Sequence, residues 1–283
     1  MSSSQSTLAT VRLPDGERVA QLGQGTWRMG ERAAALPTEV AAIRRGIELG
    51  LTLIDTAEMY GEGGAERMLG EALRGLRDSV FLVSKVYPQN AGGAALRRAC
   101  ENSLKRLATD RLDLYLLHWR GAVALLETVE GMTRLKETGK IRHWGVSNFD
   151  VGDMEELWAA GGSACAANQI LFNLERRGPE YELLPWMAKR KCPAMAYSPI
   201  EQGRLPKSGP LEEIARRHGA TVFQIALAWL LRRPDTIVIP KAASSAHVEA
   251  NRAALDLRLG ADDLAALDLA FAPPKRKAPL AML

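Results

Sequence analysis

The feature that most constrains this chain is a repeated beat. Short apolar runs rich in β-branched residues alternate with longer segments of helical period, eight times over. The runs are LGQG (22–25), LTLID (51–55), VFLVSK (80–85), RLDLYLLH (111–118), HWGVS (143–147), CAANQI (165–170), CPAMAYS (192–198) and TIVIP (236–240). Between them lie helical segments such as PTEVAAIRRGIELG, with Pro37 in its first turn, Gly50 at its stop, and a stripe formed by Val40, Ile43, Ile47 and Leu51. Ahead of the first run, TVRLPDGERVAQL places Asp15 and Gly16 between two apolar stretches and predicts a hairpin. Eight strands, each followed by helix, predict an α/β chain folded as a closed (β/α)8 barrel, the TIM-barrel architecture, with an N-terminal β-hairpin. An open doubly wound sheet is the alternative, but no break in composition marks its two halves. The expectation is one domain over residues 1–283.

Composition narrows the function classes. The 283 residues are 47% hydrophobic and 25% charged, the balance of a chain that can bury a core. A net charge of +4 is too weak to imply nucleic acid. MSSSQSTLAT lacks a basic segment followed by an apolar one, and no apolar run approaches the roughly 18 residues that span a bilayer. The expected location is cytoplasmic, without membrane contact. Cys100, Cys165 and Cys192 are widely spaced and predict reduced thiols, with no metal site. A barrel of this size needs no partner to be stable, which makes a monomer the default.

In such barrels chemistry gathers at the C-terminal ends of the strands. Asp55 ends the second run, Tyr60 follows it by a short loop, Lys85 ends the third, and His118 ends the fourth. Each alone could be a satisfied polar group, but together they have complementary jobs. A phenol of ordinary pKa about 10 would be helped toward proton exchange by an adjacent ammonium. Lys85 can be that ammonium, Asp55 can hold it charged, and His118 can orient a carbonyl or alcohol oxygen. The later strand ends carry Ser147, Asn148, Gln169, Tyr197, Ser198 and Lys241. Amides and hydroxyls suit a carboxamide, tyrosine offers a flat face to an aromatic ring, and lysine meets a phosphate as a point charge. A nicotinamide cofactor would use all of these. GQGTWR and GEGGAE do not open a helix with GxGxxG spacing and read as turns.

At these residues the sequence resembles the aldo-keto reductases, through IDTAEMYG, FLVSK, LDLYLLH, GVSNF, NQI, YSP and IPK in that order, from about residue 8 to 271. The resemblance implies metal-free, NADPH-dependent reduction of a small aldehyde or ketone, with Tyr60 as general acid and Asp55, Lys85 and His118 completing the catalytic set. It also implies cofactor contacts from Thr26 and Trp27, carboxamide contacts from Ser147, Asn148 and Gln169, and stacking by Tyr197. Ser198, Pro199, Ile200 and Gln202 would lie near the pyrophosphate, and Lys241, Ser244, His247 and Asn251 near the 2′-phosphate. IPKAASSAHVEAN departs from the common pattern at Ala242, His247 and Ala250, so NADH is a weaker alternative cofactor. Glu201, beside the pyrophosphate segment, is a charge without a role in this reading. Few residues follow His118 before the next helix and only twelve follow Phe271, which predicts short loops and an open mouth walled by Trp27, Tyr87 and Trp119. GLTLIDTAEMYG and LLPW are similar to a bacterial branch linked to methylglyoxal. The residues leave two rivals: a Schiff-base aldolase using Lys85, and a cofactor-binding regulatory subunit.

Overall fold

The computed structural model describes residues 9–283; the leading MSSSQSTL, read above for a leader, lies outside them. A hairpin of β1 (Thr10–Arg12) and β2 (Arg18–Ala20) comes first. Eight parallel strands follow: β3 (Gln24–Gly25), β4 (Leu53–Asp55), β5 (Phe81–Val86), β6 (Leu112–Leu117), β7 (Ile141–Ser147), β8 (Asn168–Leu171), β9 (Ala194–Tyr197) and β10 (Thr236–Val238), paired in sequence order. The last meets the first. Gly23 N–H donates to the Val238 carbonyl at 2.8 Å, Val238 N–H to that of Gln21 at 2.7 Å, and Gly25 N–H to that of Pro240 at 3.0 Å. The fold is a closed (β/α)8 barrel, and no open edge of the parallel sheet remains.

The ladders are shorter than several of the apolar runs. LGQG keeps only Gln24–Gly25 as strand, TIVIP stops at Val238 before Pro240, and CAANQI begins pairing at Asn168. At the first strand the backbones approach closely, since a side chain on Gly23 would sit 2.6 Å from the Leu53 carbonyl oxygen.

Alternation along each strand sorts residues between two layers. Leu53, Val83, Leu114, Leu116, Met195 and Ile237 fill the lumen, whereas Leu82, Tyr115 and Leu117 pack outward against helices. Those helices are α1 (Leu36–Glu48), α2 (Gly64–Ala72), α3 (Gly93–Leu107), α4 (Leu125–Glu137), α5 (Val151–Ala159), α6 (Leu183–Lys189), α7 (Pro210–Arg217), α8 (Val222–Leu231), α9 (Ser245–Ala253) and α10 (Ala261–Ala270). α8 is apolar almost throughout and starts with a capping box in which Thr221 and Gln224 satisfy each other's backbone N–H groups. None of the described helices is long and apolar enough to cross a membrane. The three cysteines are buried free thiols.

The hairpin closes the N-terminal end of the lumen. Val11, Leu13 and Val19 join the inner apolar cluster. Glu17 in the turn accepts from Arg142 at 2.8 Å and lies 2.6 Å from His143 Nε2, fastening the hairpin to β7. The other end is less open than the short loops predict. Met282 and Leu283 return to line the mouth, and on the way Lys277 pairs with Glu182 at 2.6 Å and Leu280 packs against the outer core. The expectation is an open mouth with little lid; the tail adds a rim to it, held against the barrel by apolar anchors such as Leu280.

Candidate active site

Strand parity aims the first polar residues inward. Leu53 and Asp55 share the lumen face of β4, as Val83 and Lys85 share that of β5, so the acidic and basic groups cap the apolar layers beneath them. Lys85 is fully buried, and its Nζ donates to Asp55 Oδ2 at 2.8 Å, the Thr56 carbonyl at 2.7 Å and the Tyr60 hydroxyl at 3.2 Å. All three ammonium protons are thereby assigned, the condition under which a buried charge is tolerated. Asp55 Oδ1 accepts from Gln169 Nε2 at 2.7 Å, a bond that crosses the lumen from the second barrel strand to the sixth.

Tyr60 stands on the loop after β4, its ring 4.9 Å edge-on from Trp27 and 5.9 Å from His118. Burial, and secondarily the charge of Asp55, push its phenol well above the ordinary tyrosine range. Burial outweighs the pull of the Lys85 ammonium, whose charge is balanced by a carboxylate 2.8 Å away. His118 directly follows β6 and is buried, and burial together with the Lys85 charge pulls its pKa down to about 2, so the imidazole is neutral. Its Nδ1 has no hydrogen-bond partner among the described residues.

The later strand ends form one connected layer. Ser147 Oγ donates to the Gln169 carbonyl at 2.9 Å, Asn148 Nδ2 to the His118 carbonyl at 3.1 Å, and the Tyr197 hydroxyl to Asn148 Oδ1 at 3.0 Å. Asn148 is left-handed, with φ 61°, and neither it nor Ser147 caps α5; that cap is Asp150, reciprocated by Asp153.

These groups open into a cavity of about 940 Å³. It brings together Thr26, Trp27, Asp55, Tyr60, His118, Trp119, Ser147, Asn148 and Gln169 from one side. Tyr197, Ser198, Pro199, Ile200, Gln202, Lys241, His247 and Asn251 come from the other. Three expected residues are off its wall. Lys85 is sealed behind Asp55 and Tyr60; Tyr87 packs edge-on against Trp119 at 5.9 Å; Ser244 serves as the N-cap of α9, accepting from His247 N–H at 3.4 Å. The cavity also takes residues that sequence reasoning missed: Arg28 and Met59 from early loops, Thr221, Phe223 and Gln224 from the start of α8, and Met282 and Leu283 from the tail. Lys241 makes no ion pair among the described residues.

The C-terminal mouth of the barrel thus brings together a neutral imidazole and a phenol, the latter backed by a buried lysine–aspartate pair. The chain belongs to the aldo/keto reductase family, which its sequence matches over residues 21–271. It is 56% identical over 268 residues to methylglyoxal reductase YeaE of Escherichia coli, covering 93% of this chain and 94% of that protein. Glyoxal reductase of Bacillus subtilis is 32% identical over 263 residues, with 92% and 91% covered. Among solved structures, an aldo/keto reductase from Klebsiella pneumoniae in complex with NADP and acetate superposes with a TM-score of 0.95 at 54% identity, covering 98% of this chain and 100% of that one.

Proposed function

We propose that this chain is an NADPH-dependent reductase of small aldehydes and ketones, with α-oxoaldehydes such as methylglyoxal as the leading substrate class. The observation that carries the reading is the Asp55–Lys85–Tyr60 cluster beside neutral His118 at the floor of the cavity. The relatives named as methylglyoxal and glyoxal reductases support the substrate class.

The residues present fit a nicotinamide dinucleotide. Gln169, Ser147 and Asn148 offer amide and hydroxyl groups to a carboxamide, Tyr197 offers a ring face, and Lys241 with His247 forms a polar rim suited to a phosphate. Bound there, NADPH supplies the hydride. Tyr60, protonated at neutral pH, donates its proton to the carbonyl oxygen as charge develops on it. Lys85 stabilises the resulting phenolate at 3.2 Å, and Asp55 keeps Lys85 charged and aimed. His118, too weakly basic in its buried position to take the proton itself, orients the carbonyl oxygen. Trp27, Trp119, Met282 and Leu283 line the apolar side of the mouth.

The Schiff-base alternative has little support, because a lysine with no exposed surface and three occupied donors offers no free amine. The test is NADPH consumption with methylglyoxal and an aromatic aldehyde. Tyr60→Phe should lower kcat/KM by about 10²–10⁴-fold, the usual scale of general-acid catalysis, with NADPH affinity retained. Full turnover in that variant would remove Tyr60 as the acid. Absence of turnover in both proteins, despite tight NADPH binding, would point to the regulatory reading.

A further inference from the structure

Glu201 sits where a carboxylate is least expected. It lies on the loop after β9 between Ile200 and Gln202, both of which line the cavity, and is only 2% exposed. On the reading above this loop faces the cofactor's diphosphate, and an unbalanced carboxylate would repel that ligand. Glu201 is balanced. Its Oε2 accepts from Asn173 Nδ2 at 2.8 Å, and its Oε1 from Arg176 at 3.1 Å and Arg204 at 3.3 Å. Although burial opposes it, the bonds from Arg176 and Asn173 hold the carboxyl below the ordinary carboxylate range.

The three partners come from two loops. Asn173 and Arg176 follow β8, and Arg204 follows the short turn that holds Glu201. Asn173 also donates to the Ser198 carbonyl at 2.9 Å, while its own Oδ1 accepts the N–H groups of Glu175 at 2.9 Å and Arg176 at 3.0 Å. The β9 loop needs such fastening. Ser198, Glu201 and Gln202 have φ of 46°, 48° and 53°, a left-handed form that L residues hold only when their surroundings enforce it. Turns of this kind can present backbone N–H groups to an anion.

We propose that Glu201, clasped by Arg176, Arg204 and Asn173, is a positioning residue that locks the β9 loop in the form that receives the cofactor's diphosphate. The inference rests on the NADPH reading above. It also fixes a sign. A bystander carboxylate would weaken cofactor binding by repulsion, so Glu201→Gln would tighten NADPH; a clasp loses its ion pairs, so the same change loosens NADPH.

The experiment measures NADPH Kd by fluorescence titration, and steady-state kinetics with methylglyoxal, on the full chain. In Glu201→Gln, Kd and KM for NADPH should rise about tenfold, the scale of a lost charge-assisted hydrogen bond, while kcat at saturating NADPH stays within about twofold. An unchanged or lower Kd overturns the clasp, as does a fall in kcat with Kd unmoved. If Glu201→Gln does not fold, Arg176→Gln combined with Arg204→Gln alters side chains that are 43% and 58% exposed and carries the same expectation and the same refutation. Failure of the wild-type chain to bind NADPH would overturn the functional reading itself, an outcome that separates the two claims.

Discussion

At the scale of single residues the site is a problem in keeping charge in a dry place. Lys85 and Asp55 are both buried, and removing one member of such a pair typically costs about 3–5 kcal/mol, which ties the chemistry of the site to the stability of the barrel. His118 solves a different problem by staying neutral. With its pKa depressed to about 2, its ionisation should leave no inflection in kcat/KM between about pH 5 and 8, where an ordinary histidine titrates. A pH–rate profile of wild type and His118→Gln checks this; an inflection near 6.5 that disappears in the variant would contradict it. Much of this was legible before the fold. Asp55, Lys85 and His118 stand at the ends of apolar runs, so period-two alternation and the barrel rule together place them at one mouth. The phenol's upward shift was not legible, because burial is a property of the closed lumen and leaves no trace in IDTAEMYG.

At the scale of elements, what the sequence hid is whatever tertiary packing delivers. Phe223 and Gln224 reach the cavity because α8 begins at its rim, and Gln224 Nε2 ties α8 to α9 through the Ala250 carbonyl at 3.0 Å. Nothing in TVFQIALAWLL separates those two from other positions of an apolar helix. The Glu201 clasp was hidden for the same reason, its partner Asn173 lying on another loop. A comparable tie holds α10 to the end of α7, where Asp263 accepts from Arg217 at 2.5 Å and lies 2.8 Å from His218 Nε2. Burial alone would raise the Asp263 pKa, but its bonds to His218 and Arg217 bring it down to about 2. A carboxylate lowered in the folded state adds stability that is fully present above its unfolded pKa of about 3.9 and is lost as pH falls through about 2. Asp263→Asn should therefore lower the urea midpoint at pH 7, and the gap to wild type should narrow steadily below pH 4. A gap independent of pH would mean that the carboxylate's charge is not what holds α10.

At the scale of the whole molecule, the two ends of the barrel divide the labour. The hairpin buries Val11, Leu13 and Val19 in the N-terminal end of the lumen, with the apolar layers of the barrel between it and the mouth. Leu13→Ala should cost about 2–5 kcal/mol in urea unfolding and leave the NADPH Kd of the folded protein unchanged. A changed Kd at full folding would show that the plug reaches the mouth. The hairpin and the eight-fold beat were readable from sequence, whereas the tail was not, since its return to the mouth depends on contacts such as Lys277 with Glu182. The bond between Asp55 and Gln169 has a consequence for how the barrel could be divided. Cut between β6 and β7, the chain would give two four-stranded pieces, one carrying Asp55 with Lys85 and the other carrying Gln169. Neither fragment could complete the hydrogen bonding of that carboxylate alone. The carboxylate that holds Lys85 would then also act as a mating signal, rewarding the reunion of matched halves and penalising any pairing that leaves Asp55 facing an apolar wall.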